Sequence, residues 1–175
     1  KNFKCYIGLI TFPKYIKSIG FSSFYQCTID ENKFEEDSQL TSISSYEFFS
    51  VNFNRPFMLP KTIEFISDSA FQNSGIQSIN FSQIIIIGKN SFQGCNKLNC
   101  PLNFPSNLEF VGEFSFYQCK KLSQPITFNF IKLAIGKSAF EGCSGLKNSV
   151  LTFKEKNPSS DLNIDFDAFK NIKFS

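Results

Sequence analysis

The sequence predicts a mostly-β solenoid, a stack of about seven short coils joined by parallel strand pairing. Three observations lead there. A phenylalanine recurs seven times with Ile or Val five residues before it. Short apolar–polar–apolar strings that read as strands recur between these pairs. Phenylalanine supplies 24 of the 175 residues while tryptophan is absent, the signature of one core position repeated coil after coil.

The repeat anchors are Phe24, Phe48, Phe71, Phe92, Phe116, Phe140 and Phe169, preceded by Ile19, Ile43, Ile66, Ile87, Val111, Ile135 and Ile164. Successive anchors lie 24, 23, 21, 24, 24 and 29 residues apart, the period of a short coil. The residue before the anchor is small at Ser23, Ala70, Ser91, Ser115, Ala139 and Ala168, and Glu47 is the exception. Glycine follows the Ile or Val at Gly20, Gly88, Gly112 and Gly136, where the chain is expected to turn through a conformation that a side chain hinders. Three residues after the anchor come Cys27, Cys95, Cys119 and Cys143, and six after it come Leu98, Leu122 and Leu146.

Between the coils, Ile10-Thr11-Phe12, Ile79-Asn80-Phe81, Leu102-Asn103-Phe104, Ile126-Thr127-Phe128 and Leu151-Thr152-Phe153 read as short strands, the apolar residues inward and the polar one outward. Pro13, Pro60 and Pro105 come where a missing amide donor does little harm. A coil of this length cannot enclose a core alone, so it must bury itself against its neighbours. At a strand spacing of about 4.8 Å, the anchor rings fall within the roughly 4.5–7 Å of offset aromatic pairs.

Composition bounds the rest. With 42% hydrophobic and 19% charged residues, residues 1–175 read as one folded solenoid domain. The longest aliphatic run, Ile84 to Ile87, is far short of the roughly 20 residues of a membrane helix, so no membrane insertion is expected in this segment. The chain lacks an initiator Met and stops just after an apolar repeat element, so it reads as a fragment of a longer protein whose solenoid ends are covered elsewhere. Histidine is absent, which removes the familiar triads and histidine metal sites. Arg55 is the only arginine and the net charge is +3, so no nucleic-acid footprint is expected.

Ile87-Gly88-Lys89-Asn90-Ser91-Phe92-Gln93-Gly94-Cys95 with Leu98, Val111-Gly112 through Phe116 to Cys119 with Leu122, and Ile135-Gly136 through Phe140 to Cys143 with Leu146 closely resemble the BspA-like leucine-rich repeat. The segments Phe104 to Val111 and Leu59 to Ile66 resemble its strand-exit and return. The resemblance spans roughly residues 16–169. It implies a leucine-rich-repeat solenoid, right-handed, with a parallel sheet on the concave face and short turns or 3-10 segments elsewhere. It also implies a surface or secreted protein and adhesion to host matrix or cell-surface proteins. Two stretches depart from the pattern: Thr28 to Gln39 carries an acidic insertion in place of a clear strand, and Lys154 to Leu162 lengthens the last turn.

Cys95, Cys119 and Cys143 share one column, so they read as buried free thiols rather than bridges. Cys5 and Cys27 stand in different columns, which makes a bridge between them the lesser expectation, and Cys100 falls at a strand position open to solvent. No CxxC occurs, and neither a metal ligand nor a cofactor is expected. The acidic cluster from Asp30 to Asp37 lacks the oxygen spacing of a calcium loop and reads as a solvated loop. Asn80-Phe81-Ser82 matches a glycosylation sequon, a coincidence to be expected in an Asn- and Ser-rich chain.

The outward strand residues Thr11, Asn80, Asn103, Thr127 and Thr152, with Gln77, Asn99 and Gln124 beside them, form a neutral polar row. Such a row is either a hydrogen-bonding platform for a protein or glycan ligand or a merely solvated sheet face. Few charges there predict weak salt dependence of any binding. No catalytic residues converge by spacing, so the leading expectation is a non-enzymatic binding module with the concave sheet as contact surface. The alternatives are an intracellular protein–protein scaffold and a structural unit that associates end to end.

Overall fold

A computed structural model describes residues 5–172. The chain is a mostly-β solenoid in which every strand pairs in parallel with the next coil. One six-stranded sheet runs along the stack through β3 (Ser42–Ile43), β5 (Phe65–Ile66), β6 (Ile86–Ile87), β8 (Phe110–Val111), β10 (Lys132–Ile135) and β12 (Asp161–Ile164). Its register pairs Ile43 with Ile66, Ile66 with Ile87, Ile87 with Val111, Val111 with Ile135, and Ile135 with Ile164. The branched residue five before each anchor is thus a strand residue, aligned coil to coil. Ile19, the first of the seven, is buried but lies outside any strand.

The second strand system is split. At one end β1 (Tyr6–Phe12), β2 (Thr28–Phe34) and β4 (Asn52–Phe53) form a three-stranded sheet, and at the other β7 (Leu102–Phe104), β9 (Ile126–Phe130) and β11 (Leu151–Glu155) form another. Ile79 to Phe81, expected as a strand, lies between them without strand pairing, although Ile79 and Phe81 remain buried. Thr28 to Phe34, expected as part of a solvated acidic loop, is strand β2. Its Ile29 and Asn32 are buried, and its first two carboxylates find partners in the next coil. Asp30 accepts from Asn54 Nδ2 at 3.2 Å, and Glu31 pairs with Arg55 at 2.7 Å. Among the described residues the only helical element is the 3-10 turn Ser144–Leu146.

The anchor turns supply a third ladder that the strand pattern does not show. In the coil of Phe92, the amides of Asn90, Phe92 and Gly94 donate to Glu113, Ser115 and Tyr117 carbonyls of the next coil at 3.0, 2.7 and 2.8 Å. The intervening amides close tight turns within the coil, as Gln93 does onto Asn90 at 3.0 Å. The same triplet recurs from the coil of Phe48 to that of Phe140. It depends on left-handed backbone two residues before and two after the anchor, as at Asn90 (φ 56), Gly94 (φ 70), Ser138 (φ 53) and Gly142 (φ 74). Asn, Ser and Gly tolerate that conformation, yet Tyr46 and Phe114 also adopt it.

The glycines after the Ile or Val serve a different purpose from the one expected. Gly88, Gly112 and Gly136 do not have positive φ; they are places of close backbone approach. A Cβ on Gly112 would stand 2.6 Å from the Gly88 carbonyl carbon, and one on Gly136 would stand 2.8 Å from the Glu113 nitrogen.

Phenylalanine fills the core in two columns. The anchor rings stack face to face from Phe24 through Phe169, with centroids 4.8–5.4 Å apart. Phe48, Phe71, Phe92, Phe116 and Phe140 are fully buried, while the terminal Phe24 and Phe169 are half-buried. A second column, including Phe104, Phe128 and Phe153, comes from the strand residues. It meets the first edge to face, as Phe128 does Phe140 at 6.1 Å and 84°. The thiols of Cys95, Cys119 and Cys143 are buried and free, and each donates to the carbonyl of an anchor, Phe71, Phe92 or Phe116, at 3.0–3.1 Å.

Glu47 is the misfit of this interior. It is fully buried at a position held elsewhere by Ala or Ser; one carboxyl oxygen accepts from the Ser44 amide at 2.8 Å and the other has no partner. Burial pushes its pKa from 4.5 up to about 8, against a smaller opposing effect of the Ser44 hydrogen bond. The fold therefore holds a proton that the unfolded chain releases, so this residue's penalty is absent below about pH 4.5 and grows as pH rises towards about 8. In urea titrations, Glu47→Ala is expected to be more stable than the parent at pH 8, on the order of 1–3 kcal/mol. That advantage should shrink towards pH 4.5; an advantage independent of pH would contradict the assignment.

Candidate ligand-binding face

The sheet of β7, β9 and β11 brings three of the expected contact residues together. Asn103 pairs with Thr127 and Thr127 with Thr152, so the three side chains form a row along the stack at about one strand spacing. Asn103 is exposed and the two threonines are half-buried. Their neighbours along each strand, Leu102 and Phe104 in β7 and Ile126 and Phe128 in β9, are buried core residues. Strict alternation therefore fixes which side chains face outward.

A second row, missed in the sequence, runs beside the first. The register that pairs Leu102 with Ile126 and Ile126 with Leu151 places Pro101, Pro125 and Val150 side by side, and all three are exposed, Val150 by 59%. Pro125 and Val150 carbonyls accept the first ladder bonds, from Leu102 and Ile126, at 3.0 and 2.9 Å. On the other side of the polar row stand Asn129 and Lys154, also paired in register. The face is thus amphipathic across its width, with an apolar row, a neutral hydrogen-bonding row and, beyond it, Asn129 and the single cation Lys154. The signal was present as the residue before each strand triplet, but proline there reads as a strand terminator.

Of the remaining expected contacts, Gln77, Asn80 and Asn99 have structural partners. Gln77 Nε2 donates to the Phe53 and Asn54 carbonyls, both at 3.3 Å, and so caps the edge of β4 where no further strand pairs. Asn80 accepts from the Ser82 amide at 2.9 Å within its own turn. Asn99 accepts from the Ser123 amide and hydroxyl at 3.1 and 3.0 Å, and Gln124 is half-buried at the approach to β9. Thr11 is exposed on β1, opposite Lys33 in the separate sheet. Cys100 is half-buried rather than open, and burial raises its pKa.

Two further surface features stand apart from this face. On the first anchor turns Phe21, Tyr25, Tyr46 and Phe49 form an aromatic cluster with centroids 5.2–5.7 Å apart, and Phe21 is 71% exposed. A cleft of about 590 Å³ opens beyond β2, with Phe34, Met58, Leu59, Pro60, Glu36 and Lys61 among its walls. Asn32 defines one side by clasping Met58, donating to its carbonyl at 2.8 Å and accepting from its amide at 3.0 Å. Among the described residues no helix is long and apolar enough to cross a membrane.

The family model for the BspA type Leucine rich repeat region matches in six copies, over residues 3–99 and 66–175. Among solved structures, the chain is similar to that of the pneumococcal vaccine antigen PcpA, at 16% identity and a TM-score of 0.38, with 87% of this chain and 58% of that chain covered. The chain thus spans 58% of that antigen chain's length. No curated protein matches it.

Gln77 and Asn103, both expected as contacts, should separate in a stability measurement. Gln77→Ala is expected to cost about 1 kcal/mol in urea unfolding through the uncapped carbonyls of β4, and Asn103→Ala less than about 0.5 kcal/mol. Equal costs would contradict the division between structural and free side chains.

Proposed function

We propose that this chain, which belongs to the BspA-type leucine-rich-repeat family, is a non-enzymatic protein-binding module of a surface or secreted protein, and that its contact surface is the face of β7, β9 and β11. One observation carries the reading. Exposed apolar Pro101, Pro125 and Val150 lie in register beside the free polar row Asn103, Thr127 and Thr152.

A protein ligand suits that arrangement better than a glycan. Protein interfaces combine apolar contact area with a limited number of hydrogen bonds, and the proline and valine row offers flat aliphatic surface with no aromatic ring on which a sugar would stack. The strand backbone holds these side chains at a fixed spacing, so an extended segment meets them with little ordering cost on this side. Adhesion to host matrix or cell-surface proteins is the role we assign to that surface. Because the centre of the face is uncharged, binding should change less than about threefold between roughly 50 and 300 mM salt.

The test is adherence of beads carrying the chain to cultured cells, compared with beads carrying the triple variant Asn103→Lys, Thr127→Lys and Thr152→Lys. Circular dichroism would first show that both are folded. Parent beads are expected to adhere, trypsin treatment of the cells to abolish adherence, and the triple variant to lose it. Undiminished adherence by the triple variant would sink the assigned face. Loss on glycosidase treatment but not on trypsin would replace the protein ligand by a glycan.

A further inference from the structure

The register of β1 against β2 has a consequence for Cys5 and Cys27. Tyr6 pairs with Thr28 and Ile7 with Ile29, so Cys5 and Cys27, one residue before each strand, are neighbours in adjacent coils. The Thr28 amide donates to the Cys5 carbonyl at 2.8 Å and fixes that juxtaposition at the backbone. The repeat columns place the two cysteines apart; the strand register brings them together.

Their exposure differs from that of the other column thiols. Cys95, Cys119 and Cys143 are each committed to an anchor carbonyl at 3.0–3.1 Å. Cys27 occupies the same position in its coil, with Cys5 as its neighbour in the adjacent coil. Cys5 is exposed and Cys27 is buried, so one sulfur is open to solvent and the other is reached through it. Parallel neighbours have backbones about 4.8 Å apart, inside the roughly 4.4–6.8 Å Cα range of a disulfide. The Cβ atoms must close from about strand spacing to the roughly 3.5–4.5 Å of a bridge. That movement is available at exposed Cys5 and denied to the buried column.

We propose that Cys5 and Cys27 are a thiol–disulfide modification site, oxidised by a low-molecular-weight disulfide such as oxidised glutathione to a bridge that staples β1 to the stack. The Cys5 thiolate attacks the glutathione disulfide, forms a mixed disulfide and expels one glutathione thiolate. Cys27, having lost its proton to solvent, attacks the Cys5 sulfur and expels the second glutathione. Two protein thiols are oxidised, one external disulfide is reduced to two thiols, and the two protons end on the departing glutathiones. Burial and the adjacent Cys5 raise the Cys27 pKa to about 11, so exposed Cys5 reacts first and Cys27 resolves.

The bridge would act where the fold is least covered. Tyr6 and Leu9 of β1 are 66% and 59% exposed, and β1 pairs on one side only. Closing the chain between residues 5 and 27 restricts the unfolded state and secures this edge strand. The inference does not depend on what the opposite sheet binds.

The reduced chain is treated with oxidised glutathione at pH 8, alkylated under native conditions and mapped by mass spectrometry, alongside Cys5→Ser and Cys27→Ser. The parent is expected to lose two hydrogens, yield a joined Cys5–Cys27 peptide and melt several degrees higher. Cys27→Ser should accumulate one glutathione on Cys5 without the thermal shift, and Cys5→Ser should leave Cys27 unmodified. Stable glutathionylation of Cys5 in the parent, a bridge between the Cys5 residues of two chains, or glutathione on Cys27 in Cys5→Ser would each overturn the proposal. Circular dichroism confirms that each variant is folded.

Discussion

Stacking of one anchor turn on the next is the interaction from which the rest of this structure follows. A coil of 21–29 residues has no interior of its own, so its apolar groups are buried only by the coils on either side. The anchor rings provide the apolar part of that contact, lying nearly parallel with interplanar angles of 4–12°. The amide triplet at the same turn supplies the polar part, and it needs the rings at ladder spacing to reach the next coil. Neither works alone: rings without the triplet would leave buried donors unpaired, and the triplet without the rings would enclose a void.

From this constraint come the small residue before six of the seven anchors, the glycine after four of the seven Ile or Val residues, and the thiol donating to an anchor carbonyl. All three let neighbouring backbones approach to strand distance. Glu47 shows how far the stack tolerates an exception, since the Phe48 ring next to it still stacks at 5.4 Å on Phe24 and 5.2 Å on Phe71. The carboxyl is accommodated by carrying a proton. The proposed contact face is a by-product of the same spacing. Rows such as Asn103, Thr127 and Thr152 are straight because the core behind them is periodic, and the row ends where Ile79 to Phe81 drops out of the ladder.

The period, the anchors and the buried thiol column were legible because each occupies a fixed phase with one side-chain type. Less legible was anything set by the backbone. Gly112 reads as a flexible turn, yet it is required by the carbonyl carbon of Gly88. Acidic Thr28 to Phe34 reads as a loop, yet Ile29 and Asn32 point inward and the carboxylates find Asn54 and Arg55 in the next coil. Of the candidate site, the polar row was visible in the strand triplets. The parallel row of Pro101, Pro125 and Val150 was not, since exposure of an apolar residue is known only once the register is. Gln77 and Asn99 read as free polar groups because their partners lie in other coils.

Unfolding of Phe116→Ala in urea tests the central claim most directly. Phe116 is fully buried and stacks on Phe92 at 5.0 Å and on Phe140 at 4.8 Å. If the ring column joins the coils, its loss should lower stability by about 3–5 kcal/mol. A loss under about 1 kcal/mol would mean that the coils hold together without it, and would contradict the account.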